Sequence, residues 1–147
     1  MQVTHDKPLW TPSPERIASA NLTCFMRAAG ARWERKFSDY ASLHRWSIEH
    51  REEFWISVWE FCDVIGEHGR RVLLNGERMP GASWFPEARL NFAQNLLRAQ
   101  DETTAMVFWG EDKVRRRVRR AELYRQVAAL CAAMRAEGIK AGDRVAA

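Results

Sequence analysis

The residues that could carry chemistry in this sequence are three cysteines, four histidines and one run of basic residues. Cys24, Cys62 and Cys131 lie far apart and form no C-x-x-C pair, which disfavours both a zinc site and a disulfide framework. The histidines form no H-E-x-x-H motif, and no G-x-x-x-x-G-K-S/T phosphate loop is present. We therefore expect this chain to contribute no catalytic, cofactor-binding or metal-binding residue.

The basic run extends from Lys113 to Arg120 and permits two interpretations. Clustered guanidinium groups bind phosphates well, so the run could form a patch for nucleic acid or for another phosphate-bearing ligand. The run instead favours an edge strand with Val114 and Val118 facing inward and charged side chains in water, namely Arg115, Arg117 and Arg119. The net charge of the whole chain, +4 over 147 residues, does not require an anionic partner. We therefore favour the edge strand over a nucleic-acid site.

Helical patterns dominate the first part of the chain. Ser13 before Pro14 predicts a capped helix start, and Asn21 is expected to cap a second helix that Gly30 closes. After Ser38-Asp39, apolar residues recur at helical spacing, and beyond His50 two apolar sets run side by side. Those residues are Tyr40, Leu43 and Trp46, then Phe54, Val58 and Phe61 beside Trp55, Trp59 and Cys62. The last helix is expected to pack on two sides.

Strand patterns follow a turn-rich middle section. A short helix capped by Asn91 is expected at Ala93–Leu97, and Gly110-Glu111-Asp112 should join Ala105–Trp109 to Val114–Val118 in a hairpin. A longer helix then follows, with an apolar stripe along one face. Gly138 is expected to end this helix at the C′ position, just past its last turn, where glycine is favoured. The stripe consists of Leu123, Val127, Leu130, Cys131 and Met134. Val145-Ala146-Ala147 reads as the start of a further strand.

The composition bounds the class of protein. With 46% hydrophobic residues, seven Trp and seven Phe, the sequence is typical of a folded globular chain. It shows no signal peptide and no apolar segment long enough to span a bilayer, so we expect a soluble, cytoplasmic protein with no membrane partner.

Two segments resemble a known family. The segment from Ala121 to Val145, which contains Glu122-Leu123 and Gly142-Asp143, resembles the first helix and following strand of the adenylate-forming acyl-CoA synthetases. In that family a hydroxyl residue and an aromatic precede the Glu-Leu pair. Arg119 and Arg120 replace them here, which leaves Glu122 as the side chain able to reach back to the helix start.

The upstream segment points to one branch of that family. Trp84-Phe85, followed by Leu90-Asn91 and Asn95, resembles the signature that ends the N-terminal extension of acetyl-CoA synthetase relatives. The segment Pro86-Glu87-Ala88 between them is similar to the acetoacetyl-CoA synthetase branch. The resemblance implies a structural role for these residues and for Glu122, Leu123, Gly142 and Asp143.

The resemblance implies an activity for a longer protein. Members of the branch convert acetoacetate, ATP and CoA, with Mg, into acetoacetyl-CoA, AMP and diphosphate through an acyl-adenylate. The residues that bind ATP and catalyse both steps lie later in the family's sequence, within a large domain and a C-terminal lid. The chain is thus expected to be an inactive N-terminal fragment that binds none of these cofactors itself and has the remainder of the ligase as its partner.

The expected fold class is α/β. A helical N-terminal extension over residues 1–100 should be followed by residues 101–147, the truncated start of the AMP-binding domain, with a hairpin, a helix and an incomplete sheet. Two other functions remain open at this point: a free-standing interaction module with an aromatic helical face, and a basic nucleic-acid binder.

Overall fold

The computed structural model describes residues 10–111 and 113–146, which divide into two compact units, Met1–Leu90 and Asn91–Ala147. The first unit is mainly helical. Its elements are α1 (Pro14–Ala18), α2 (Asn21–Arg32), α3 (Tyr40–Glu49), α4 (Arg51–Phe61), β1 (Gly66–Glu67), β2 (Leu73–Leu74), β3 (Ser83–Trp84) and β4 (Arg89–Leu90).

The first two helices confirm one predicted boundary and correct two. Ser13 caps α1, its Oγ accepting a hydrogen bond from the Arg16 N–H at 3.3 Å. Asn21 is not a cap but the first residue of α2, because the extended residue before it is Ala20. Gly30 does not end α2 either. A Cβ at this position would lie 2.7 Å from the carbonyl oxygen of Arg35, so Gly30 allows the returning chain to approach the helix.

The α3–α4 pair confirms the predicted helical spacing. Asp39 and Ser42 form a reciprocal capping box at the start of α3: the Ser42 N–H donates to Asp39 Oδ1 at 2.7 Å, and the Asp39 N–H donates to Ser42 Oγ at 3.3 Å. The core forms where α2, α3 and α4 meet. Its buried members are Phe25, Ala29, Leu43 and Trp46, with Phe54 and Val58 of α4 packed against them.

The turn-rich section folds into two pairs of very short antiparallel strands. β1 pairs with β4, with Gly66 opposite Leu90, and β2 pairs with β3, with Leu73 opposite Trp84. Arg51 joins this section to α4, because its guanidinium donates to the carbonyl oxygen of Gly76 at 2.9 Å. The β2–β3 pair therefore holds Trp84 in a fixed register beside the helices.

The second unit contains α5 (Phe92–Leu96), β5 (Thr104–Trp109), β6 (Arg115–Arg119) and α6 (Arg120–Ala136). The predicted hairpin is confirmed, since β5 and β6 pair antiparallel, although Asp112 of its turn lies outside the described residues. Val118 faces inward as expected. Val114 does not face inward, since its side chain is 57% exposed. This residue lies before β6, in the turn of the hairpin, which it closes by accepting the Gly110 N–H with its carbonyl oxygen.

The C-terminal segment departs from the expected strand. Gly138 follows the last turn of α6 with a φ of 77°, as predicted. Val145 and Ala146 are not in a strand, because no described segment pairs with them, and Ala147 lies outside the described residues. Neither unit, within its described residues, holds a helix with the length and apolar character needed to cross a bilayer.

Candidate interaction surface

An aromatic cluster covers the side of α4 that faces away from the core. Trp55 and Trp59, one turn apart, meet the rings of Trp84 and Phe85 at centroid distances of 5.5 and 5.1 Å. His68 completes the cluster, 5.8 Å from Trp59 and 6.2 Å from Phe85. We call these five residues the aromatic face. It confirms that α4 packs on two sides.

The backbone of Phe85 explains how two consecutive rings reach the same helix. Successive side chains of an extended strand point to opposite faces, so Trp84 and Phe85 would normally diverge. Phe85 instead has a φ of 45°, in the left-handed region, while its N–H donates to the carbonyl oxygen of Val72 at 2.7 Å. This conformation is costly for a bulky residue. It turns the Phe85 ring onto Trp59 beside the Trp84 ring on Trp55.

Part of the aromatic face remains open to solvent. Trp55 and Trp84 are 41% and 40% exposed, although their rings contact each other. Trp46 of α3, by contrast, is 3% exposed and belongs to the core. The exposed pair therefore presents apolar ring surface to solvent.

The other residues of the predicted signature hold local structure in their own units. Asn91 Oδ1 caps α5 by accepting the Gln94 N–H at 3.0 Å, and the Asn95 side-chain amide donates to the Asn91 carbonyl oxygen at 3.0 Å. Both hydrogen bonds join a side chain to a backbone group within the first turn of α5. Leu90 lies in β4, where it pairs with Gly66 of β1.

The signature residues of the second unit behave similarly. Glu122 does not cap α6, because its carboxylate accepts from Arg116 at 3.0 Å and from Gln126 at 2.9 Å. Asp143 Oδ2 accepts the Lys140 N–H at 2.7 Å, which closes the turn that contains Gly142. Leu123 lines a small apolar cavity between α6 and the hairpin.

The titratable groups with displaced pKa values are structural as well. Hydrogen bonds to the carboxylate lower the pKa of three residues below their ordinary values. The donors are the Glu15 N–H itself for Glu15, the Ser42 N–H for Asp39 and the Thr103 hydroxyl for Asp101. All three are exposed. Among residues 10–111 and 113–146, no group of three or more His, Cys, Asp or Glu side chains could hold a metal ion.

Three of the six basic residues in the run have partners within their own unit. Arg116 pairs with Glu122, Arg119 pairs with Glu102, and the Arg115 guanidinium lies 4.3 Å from the centroid of the Trp109 ring. These partners lower the positive charge that the hairpin offers to a phosphate. The arrangement fits the edge strand better than a nucleic-acid site.

Comparison with known proteins gives consistent matches. Residues 40–96 match the family described as "Acetyl-coenzyme A synthetase N-terminus". The acetoacetyl-coenzyme A synthetase of Rhizobium meliloti is 49% identical over 97% of this chain and 22% of its own length. The malonamoyl-CoA synthetase of Penicillium aethiopicum is 32% identical over 94% of this chain and 20% of its own length.

A solved structure gives the same result in three dimensions. The acetoacetyl-CoA synthetase from Streptomyces lividans superposes with a TM-score of 0.76 at 43% identity, over 95% of this chain and 22% of that protein. The chain therefore spans about a fifth of the length of the relatives it matches.

Proposed function

Because the chain is homologous to the N-terminal part of acetoacetyl-CoA synthetases, we propose that it is the N-terminal part of a ligase that converts acetoacetate to acetoacetyl-CoA. The observation that carries the proposal is the 49% identity to the Rhizobium meliloti enzyme along 97% of this chain. One relative is named a malonamoyl-CoA synthetase, so a related short carboxylic acid is the second candidate substrate.

The proposed reaction has two steps. The acetoacetate carboxylate attacks the α-phosphorus of ATP, so that a carboxyl–phosphate bond forms and diphosphate leaves. The thiol of CoA then loses its proton to solvent and attacks the acyl carbon, and AMP leaves with the bonding pair, which gives the thioester. Both steps need stabilisation of developing charge on phosphoryl and acyl oxygens. In the family, residues beyond this segment supply it, together with Mg.

This chain's proposed role is structural. Trp84 and Phe85 fasten the β2–β3 section onto α4, and Asn91 starts α5 where the two compact units join in sequence. We propose residues 1–100 as the N-terminal extension and residues 101–147 as the beginning of the AMP-binding domain. We also propose a cytoplasmic location, where the three free cysteines would stay reduced.

Two measurements test the proposal. The isolated chain should catalyse no acetoacetate-dependent exchange between ATP and diphosphate, and exchange above background would contradict the inactive role. A chimaera should retain acetoacetyl-CoA formation when this chain replaces the matching segment of the Rhizobium meliloti enzyme. The matched control is the same enzyme without that segment, which should be inactive. A folded but inactive chimaera would overturn the assignment.

A further inference from the structure

The junction between α3 and α4 holds a cluster of charged side chains that the proposed function does not use. His50 is the single residue between the two helices. Its Nδ1 lies 3.5 Å from Glu53 Oε1, and Nη2 of Arg35 lies 3.5 Å from Glu53 Oε2. We call these three residues the junction triad. Their side chains are 38% exposed for Arg35 and His50 and 29% for Glu53, so solvent protons reach all of them.

Arg35 contacts the face of the His50 ring. Its Nη2 lies 3.4 Å from Nδ1 and 3.3 Å from Nε2 of that ring. An atom equally far from both nitrogens at this range would collide with the ring carbons if it lay in the ring plane. The guanidinium nitrogen therefore lies over the face of the imidazole. A guanidinium is attracted to the face of an uncharged aromatic ring.

Glu53 is the fixed member of the junction triad. Its Oε2 accepts the Nε1–H of Trp46 at 3.0 Å, and Trp46 is 3% exposed in the core. The backbone of Arg35 is also held, because its N–H donates to the carbonyl oxygen of Gly30 at 2.9 Å. The long Arg35 side chain is partly exposed beyond that anchor. It is therefore the member that moves most easily when its contacts change.

Proton uptake by His50 would reverse its interaction with Arg35. An imidazole ordinarily gains a proton between about pH 8 and pH 5. Once a solvent proton is added to the ring nitrogen that lacks one, the ring is a cation and repels the guanidinium that lies on it. The charged ring also attracts Glu53, whose Oε1 is already 3.5 Å from Nδ1. One proton thus exchanges an Arg35 contact for an ion pair with Glu53.

The other charges near His50 favour the same exchange. Glu49 of α3 and Glu52 of α4 line one recess with His50, to which β2 contributes an apolar side chain. Arg51, the cation of this recess, is engaged by the loop between β2 and β3. The helices therefore present carboxylates to a protonated ring, whereas the loop between α2 and α3 presents the Arg35 cation. These opposed charges make the position of Arg35 depend on the charge of His50.

We propose that His50 is an acid-sensitive switch: the neutral ring holds Arg35, and the protonated ring pairs with Glu53 and releases Arg35. Release would detach the side-chain tie between the α2–α3 loop, residues 33–39, and the α3–α4 junction, while the core of α2, α3 and α4 stays packed. The switch lies within the first unit and does not depend on the proposed ligase function.

The test measures the mobility of the Arg35 side chain by NMR relaxation of its Cδ methylene in the isolated chain. The order parameter should exceed about 0.6 near pH 8 and fall below about 0.6 near pH 5.5. His50→Phe keeps an aromatic face beneath Arg35 but takes up no proton, so the fall should vanish. His44→Phe is the matched control, since it removes a titrating ring of α3 that stacks on Tyr40 at 5.8 Å, and the fall should remain.

Three results would overturn the inference. The first is an Arg35 order parameter that does not change with pH. The second is an equal fall in His50→Phe, because a group other than His50 would then control Arg35. The third is read in the unaltered chain, and it decides the matter even if His50→Phe fails to fold. The pH midpoint of the Arg35 change must coincide with the midpoint of the His50 ring resonances, and separate midpoints contradict the switch.

Discussion

Replacing Trp46 with alanine should destabilise the first unit more than any comparable change on the aromatic face. The Trp46 side chain is 3% exposed, lies between the rings of Phe37 and Phe54 at 5.0 and 5.9 Å, and donates its Nε1–H to Glu53 at 3.0 Å. Truncation of a buried Trp costs about 3–5 kcal/mol, a large share of the roughly 5–15 kcal/mol that stabilises a domain.

The matched control is Trp55→Ala on the neighbouring helix. Trp55 is 41% exposed, so its truncation removes less buried surface and should cost about 1–2 kcal/mol. In urea, with a slope of about 2 kcal/mol per molar, Trp46→Ala should move the unfolding midpoint by about 2 M and Trp55→Ala by less than about 1 M. Far-UV circular dichroism of the isolated chain measures both. Equal shifts would refute the assignment of the core to α2, α3 and α4.

Two further predictions concern helix caps. Hydrogen bonds from Ser42 lower the pKa of Asp39, so its stabilising contribution is full above the ordinary value of 3.8 and is lost as the pH falls through the lower pKa of the folded state. Acid unfolding should consequently be less steep in Asp39→Asn, which keeps a capping oxygen without the titration, and identical acid profiles would contradict this. Asn91→Ala removes the acceptor of the Gln94 N–H at a cost of about 1 kcal/mol, which should speed amide hydrogen exchange at Gln94 roughly fivefold. Unchanged exchange at Gln94 would show that another group caps α5.

Sequence patterns predicted the helices and the hairpin because these elements depend on local periodicity. The spacing of Tyr40, Leu43 and Trp46 identified α3, and the apolar stripe identified α6. The capping roles of Ser13 and Asn91 follow from side chains that satisfy backbone groups two or three residues away. Such signals need no knowledge of the rest of the molecule.

The errors arise where contacts outside the local pattern decide the structure. Gly30 reads as a helix end, yet it lies inside α2, where the absence of a side chain leaves room for the carbonyl oxygen of Arg35. The pairing of Gly66 with Leu90 joins strands of two residues each, too short for any alternation to show. The contact between Phe85 and Trp59 was not predicted either, since nothing near Phe85 in the sequence requires a positive φ.

The left-handed backbone at Phe85 limits how position 85 can change over evolutionary time. Its φ of 45° is one that glycine, asparagine or aspartate adopts at the least cost, while its contact with Trp59 requires an aromatic ring. A residue that relaxes the backbone removes the ring, and a residue that keeps the ring keeps the strain. A substitution at this position therefore gives up either the ring contact or the relaxed backbone, and the strain persists as the cost of directing two neighbouring rings onto one helix.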